Sequence, residues 1–549
     1  MQRKKGRGVS QILERQKAAA DLLRREVLGS SLAHPYFRDL NRQLRSWRGP
    51  VSARDVQDAC LSARIVYLGE FHALDACQHF AADLLERMAK GRKSRLALGV
   101  ELFFTRQQAL LDRRQAGQID DSTFLRRAHY REEWGYPWDG YRLLLDRARS
   151  MKVPVFALDS SPRGGFDGLS RRDTHAARQI AHLVEAGYRL LVLFGESHLS
   201  PNHIPRRVRH RLDRSGTACE TVTVYQDPDS VYWSLLSRGD ALPRAVRIDN
   251  TAYAVFHTSP LEKYEAYRQV LERWREDVPH DEEVDLTPAV HHLIGALLRW
   301  LGIRTERTRV RHRAGWVEDL ADTLPEVHTG SEATDLLVPI LLEHHRSRDE
   351  IAEARILLER RGALYESRSN TMFLARYLPG RAAGEGARFL RAALTGRLYN
   401  PPEESWNDPV ARAYGAAYNE ALAHLGARLV DPASDYVSGG EGLALAAAGP
   451  FGAGPDSALG DRMVEWLEAH RRFEESGDVE PPAKLMGPLR RLRSLRRALA
   501  RDLGQRIGRV VVERVRRGEI DRRGLRHMFS RPLVPARAQR LVLELLRFR

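Results

Sequence analysis

Residues 65–72 read IVYLGEFH, and residues 191–198 read LVLFGESH. Each is an apolar, branched run of strand length that ends in Gly-Glu-x-His. Side chains alternate along extended backbone, so the Glu and His of each motif fall on one side of their strand. The glycine lets the chain turn, or lets another group come close. Two further runs share the design: 96–100 (LALGV) precedes Glu101, and 153–158 (VPVFAL) precedes Asp159. Runs of this kind suit strands buried on both faces. Between them lie amphipathic stretches at 77–90, 107–117, 141–151 and 173–186. Strand and helix in alternation predict an α/β fold, a mainly parallel sheet flanked by helices. Residues 218–225 and 253–257 add strands, expected as an antiparallel edge.

Outward from this block the pattern changes. Residues 1–55 read as a helical N-terminal extension closed by a turn at Gly49 and Pro50. Residues 56–278 form the expected α/β domain. The stretch 277–285 (DVPHDEEVD) is acidic, contains proline and marks a boundary. Residues 279–549 read as a mostly α-helical C-terminal domain, with helices expected at 291–301, 333–359, 408–429, 461–475 and 489–517. The Gly/Ala-rich 438–454 reads as a loop. A chain of 549 residues exceeds what one core holds, which agrees with this division.

Composition narrows the function classes. Apolar residues make up 43% and charged residues 29%, as in ordinary soluble domains. No apolar run reaches the roughly 18 to 20 residues that cross a bilayer. The first 28 residues are basic at their start but lack a continuous apolar core and a cleavage site. No cysteine stands near them to accept a lipid. The expected location is cytoplasmic. Cys60, Cys77 and Cys219 form no CxxC pair, which argues against a disulfide framework and a thiolate zinc site. The net charge of +16 comes from arginine spread along the chain, so no specific nucleic-acid partner is expected.

The chemistry therefore rests on strand ends. Parallel strands bring His72, Glu101 and His198 to the carboxyl edge of the sheet, where open α/β folds bind ligands. Glu70 joins them. Glu196 and Asp159 are secondary, because either can orient a histidine or cap the following helix. One Glu-x-His at a strand end is usually a simple hydrogen-bonded pair. Two copies at one edge favour a site. Two histidines with carboxylates suit a divalent metal (zinc, manganese or iron). The same groups could activate water, with Glu70 or Glu101 as general base. His203 reads as a loop residue.

At these residues the sequence resembles the ChaN family of haem-binding lipoproteins, within the superfamily that includes Tiki proteases and erythromycin esterase. The matching pieces are Gly69 to His72, 98–108 (LGVELFFTRQQ) with Leu111 and Asp112, 134–141 (WGYPWDGY), Arg172 with Asp173, 195–198 (GESH) and 204–208 (IPRRV). Their order spans about residues 60 to 215. The resemblance implies a domain that binds haem in iron uptake or handling. In the hydrolytic branches it implies that His72, Glu101 and His198 are catalytic or metal-binding. The chain departs from the lipoproteins in its start, which sets surface haem capture aside and leaves intracellular haem handling or hydrolysis.

Haem needs an axial ligand, an apolar slot and cations for its propionates. Trp134, Tyr136, Trp138 and Tyr141 could wall the slot, with Tyr136 or Tyr141 as a phenolate ligand. Core packing explains these aromatics equally well. Arg163 and Arg206 could meet propionates. A third reading is a scaffold acting through the helical half. Its basic helix carries Arg490, Arg491, Arg493, Arg496, Arg497 and Arg501, which read better as a bundle face than as a contact with an anionic membrane. The expected partner is haem or a small-molecule substrate, and a homodimer is compatible with either.

Overall fold

The computed structural model describes residues 2–29, 32, 34–91, 95–163, 168–238, 242–275, 285–304, 308–311, 317–399, 406–432, 458–476, 478 and 482–547. The acidic boundary at 277–284 and the Gly/Ala-rich 438–454 lie outside the described residues. Two compact units emerge: Lys17–Glu282, and Met1–Gln16 with Glu283–Arg549. Among the described residues no helix is long and apolar enough to cross a membrane.

The first of these units is built on eight strands. They are β1 (Gly49–Val51), β2 (Ile65–Glu70), β3 (Leu96–Phe104), β4 (Val155–Asp159), β5 (Arg189–Gly195), β6 (Thr221–Gln226), β7 (Ala245–Arg247) and β8 (Ala252–Val255). Their order across the sheet is β1-β7-β8-β6-β2-β5-β3-β4. The β2, β5, β3, β4, β6 and β8 pairings are parallel. The sheet is therefore mainly parallel and flanked by helices, as the alternating runs predict.

The edge differs from expectation. Strands β6 and β8, read as antiparallel, are parallel members of the sheet. The antiparallel pairings come from β7 with β8 and β1 with β7. A three-residue strand carries too short an apolar pattern to be seen in sequence.

The helices of this unit are α1 (Gln2–Leu28, shared with the other unit), α2 (Pro35–Leu44), α3 (Ala53–Ser62), α4 (Asp75–Gly91), α5 (Gln108–Gln115), α6 (Asp121–Arg127), α7 (Tyr130–Glu133), α8 (Asp139–Ser150), α9 (Leu169–Glu185), α10 (Ile204–Arg214), α11 (Asp229–Ser237) and α12 (Pro260–Arg275). Val66, Leu68, Val100, Leu191 and Leu193 face one layer with Leu85 of α4 and Leu144 of α8. Tyr67, Val192 and Phe194 face the other with Ala177 and Ile180 of α9 and Val208 of α10. Period-two alternation thus divides each strand between two buried layers. Residues 35–51, read as part of a separate extension, contribute α2 and the edge strand β1 to this unit.

The second unit contains α13 (Thr287–Leu301), α14 (Gly330–Glu343), α15 (Arg348–Arg361), α16 (Pro379–Leu394), α17 (Pro409–Val430), α18 (Ala458–Ser476), α19 (Ala483–Arg491), α20 (Arg493–Arg516), α21 (Arg522–Ser530) and α22 (Pro535–Arg547). Expected as one helix, 333–359 is broken. Ser347 caps α15 in a reciprocal box with Glu350, and such a box starts a helix rather than continuing one. Strands Glu326–Thr329, Ala363–Glu366 and Thr371–Leu374 form a small sheet unseen in the sequence. The helices approach closely: Gly426 of α17 leaves no room for a Cβ against Ala387 of α16.

Candidate functional site

The site grows from register. In the parallel pair β2 and β5, Glu70 stands opposite Gly195 and Gly69 opposite Phe194. The two Gly-Glu-x-His motifs are therefore offset by one residue. An offset of one sends equivalent side chains to opposite faces, so Glu70 and Glu196 do not meet. Gly195 instead makes room: a Cβ there would stand 3.2 Å from the His72 ring and 3.3 Å from Glu101 Oε2.

His72 and His198 converge on one carboxylate. His72 Nε2 lies 3.8 Å from Glu101 Oε2, and His198 Nε2 lies 3.9 Å from Glu101 Oε1. Behind each ring stands an orienting carboxylate. His72 Nδ1 pairs with Glu70 Oε1 at 3.0 Å, and His198 Nδ1 pairs with Asp173 Oδ1 at 2.5 Å. Glu70 also accepts from Gln78 Nε2 at 2.5 Å and from the Tyr141 hydroxyl at 3.1 Å.

Arginine from α9 satisfies the remaining oxygens. Arg172 donates from Nη2 to Glu101 Oε1 at 2.5 Å and from Nε to Asp159 Oδ1 at 2.8 Å. The Gly195 N–H donates to Glu101 Oε2 at 2.6 Å. Arg163 Nε donates to Asp159 Oδ2 at 2.9 Å. Asp173 further accepts from the Tyr36 hydroxyl at 2.8 Å and from Arg207 Nη1 at 3.2 Å. Buried charges endure when so paired.

Electrostatics follow from this packing. Burial alone would raise the Glu101 carboxyl, but His72, Arg172, His198 and the Gly195 N–H outweigh it and hold it down at about 2. Burial opposes charge on His72, yet Glu101 and Glu70 together raise its pKa above the ordinary value. Burial pushes the Tyr136 and Tyr141 phenols well above their usual range.

Not every residue read from the sequence arrives here. Glu196 is drawn to the buried Lys263 at 3.2 Å, in a second polar cluster with Asp229. Asp159 sits behind Arg172, facing guanidinium rather than imidazole. Trp134 and Tyr136 flank His72, with ring centroids 4.5 and 5.1 Å away. Trp138 lies against Phe124 and Tyr130 instead, and donates to Asp121. Tyr141 is engaged by Glu70. Arg163 points inward to the carbonyls of Glu101 and Leu102. Arg206 is exposed, and its neighbour Arg207 reaches Asp173. His203 lies in the loop just before α10, as read, and stacks there on Tyr36 with centroids 3.7 Å apart.

Arg172, Asp173, Tyr36, Gln78 and Arg207 received no role from the sequence. Arg172 with Asp173 formed part of the family pattern, which was the available signal. Tyr36 carried none.

Among the described residues no group of three or more His, Cys, Asp or Glu side chains is placed to hold a metal ion. The physical reason is visible in Glu101 and Asp159, whose oxygens are occupied by Arg172, Arg163 and backbone N–H groups. The side chain of His72 keeps 21% of its surface exposed, against 6% for His198. His72 is thus the more open imidazole.

No curated protein matches the sequence. A solved structure, showing cofacial heme binding to ChaN of Campylobacter jejuni, is similar at 14% identity, covering 37% of this chain and 91% of that chain with a TM-score of 0.28. The family model for haem-binding uptake, Tiki superfamily, ChaN matches residues 56–180, and over that span this chain is ChaN-like.

Proposed function

We propose that the α/β unit binds haem at the carboxyl edge of its sheet, with His72 as the axial ligand, in haem or iron handling. The carrying observation is the environment of His72. Its imidazole is partly open, lies between Trp134 and Tyr136, and is oriented through Nδ1 by Glu70. A carboxylate on the far nitrogen fixes tautomer and raises ligand basicity. Apolar aromatic walls are what a porphyrin requires. Tyr141 is less suited, because its hydroxyl already serves Glu70. The residues therefore fit haem through an imidazole better than through a phenolate. The bound iron would supply coordination and redox chemistry, and the matching family's description supports this reading.

The test is a haemin titration of the full chain. A Soret band should appear with wild-type protein, persist in His198→Ala and be lost in His72→Ala. Equal haem binding by wild type and His72→Ala would overturn the assignment.

One observation favours a second reading, hydrolysis. Asp173 orients His198 in the manner of a carboxylate–imidazole general base. A divalent metal would have to displace Arg172 from Glu101, so this reading is best tested first without metal. Esterase or peptidase turnover lost in His198→Ala would support it. Loss of all turnover with bound zinc or manganese removed would instead favour the metal-dependent form.

A further inference from the structure

The helical unit contains a cleft of about 620 Å³ between α15, α16, α17 and α20. Pockets for small organic molecules commonly span roughly 300 to 1,000 Å³. Eight arginines line it against four glutamates, Glu350, Glu353, Glu385 and Glu420. Of the basic stretch 490–501, Arg493, Arg496, Arg497 and Arg501 line this cleft, whereas Arg490 and Arg491 are exposed at the end of α19, because the helix expected at 489–517 breaks at Leu492.

The carboxylates are already shared. Glu353 meets both Arg497 and Arg501, the latter at 3.0 Å. Glu420 meets Arg388 at 2.7 Å and Arg361 at 3.7 Å. Glu350 meets Arg493 at 3.4 Å and Arg346 at 3.3 Å. Arg412 and Arg496, by contrast, bond to carbonyls: Arg412 to Trp406 at 2.5 Å, Arg496 to Leu489 at 3.0 Å. Among the described residues neither meets a carboxylate.

Helices can be joined by ion pairs without such an excess. Here burial and the neighbouring guanidiniums of Arg412, Arg493 and Arg497 all work against the charge on Arg496. Arg501, 6% exposed, is pushed down to about 10 by burial and by Arg361. Like charges crowded into a half-buried cleft are costly unless an anion joins them. A smaller cavity of about 120 Å³ shares Tyr365 and Arg388 with the cleft. Asn419 lines it, and its Oδ1 is buried without a hydrogen-bond partner. A ligand with donors as well as anionic groups would satisfy both features.

We propose that this cleft is a binding site for a small molecule bearing several anionic groups, phosphate or carboxylate. Guanidinium forks fit either oxyanion. Nothing in the haem reading requires this site, and the two stand or fall separately.

The test is calorimetric titration of the full chain at fixed ionic strength, with pyrophosphate in one arm and citrate in the other. Saturable one-to-one binding is expected in at least one arm, and the arm that binds identifies the oxyanion. The double variant R412Q/R496Q should weaken that binding by about tenfold or more, the scale of a lost charge-assisted bond. Its far-UV dichroism and haem titration should stay unchanged. R493Q, at a 43% exposed side chain, provides an independent variant with the same expected direction. Absence of saturable binding in both arms would overturn the proposal. So would wild-type affinity in these variants, which would place any anion elsewhere on a chain of +16 charge.

Discussion

Arg172 donates to Glu101 across 2.5 Å while also gripping Asp159, and this pairing governs what the carboxyl edge can do. It neutralises the carboxylate on which both histidines converge, and it keeps that carboxylate from acting as an open metal ligand.

Removing the arginine should therefore destabilise the fold. Arg172→Gln leaves the buried Glu101 carboxylate without its guanidinium and Asp159 with Arg163 alone, and breaking such a buried pair costs about 3 to 5 kcal/mol. Urea unfolding should show it. The double variant R172Q/E101Q should recover part of the loss, because the uncompensated charge is then gone. A single variant as stable as wild type would contradict the pairing.

Gly195 makes a second expectation. Its missing Cβ leaves the space into which His72 and Glu101 project. In Gly195→Ala the two side chains must give by a few tenths of an ångström, and overpacking of this kind costs about 1 to 3 kcal/mol. Haem affinity should fall with it, since the His72 ring is displaced. Unchanged affinity would mean that His72 lies clear of position 195.

The strand ends were legible because both rules behind them are local. Period two and an apolar run of buried composition identify β2, β3, β4 and β5, and each run ends at a polar residue. What local rules miss is register and reach. The one-residue offset between β2 and β5, which carries Glu196 to Lys263, is set by how whole strands pair. Tyr36 meets Asp173 from 137 residues away, and no spacing in the sequence encodes that approach. Gly-Glu-x-His looked like a repeated dyad. In space only the histidines are equivalent, and the second orienting carboxylate comes from a helix.

Acid should unfold the α/β unit through Glu101. Its folded pKa of about 2 lies below the ordinary carboxyl value of 4.5. A depressed carboxyl contributes stability that is fully present above 4.5 and is lost as pH falls toward 2. At 2% exposure the effect is on the order of 3 kcal/mol. Glu101→Gln should be less stable at neutral pH and show a flatter stability profile between pH 4.5 and 2. Parallel profiles for the two proteins would remove Glu101 from this role.

Haem affinity should depend on pH in a direction set by His72. Only a neutral imidazole can ligate iron, and Glu101 with Glu70 raises the pKa of this ring above 6.5 against the effect of burial. Protonated rings therefore persist to higher pH than usual, and haem affinity should rise as pH climbs through the raised value. Taking away one of those carboxylate charges must lower the pKa. In Glu70→Gln the affinity profile, followed by Soret absorbance, should move to lower pH while keeping its shape. The hydrogen bond to Nδ1 survives in that variant, so the shift isolates charge from orientation. A profile that stays in place would mean that another side chain donates to the iron.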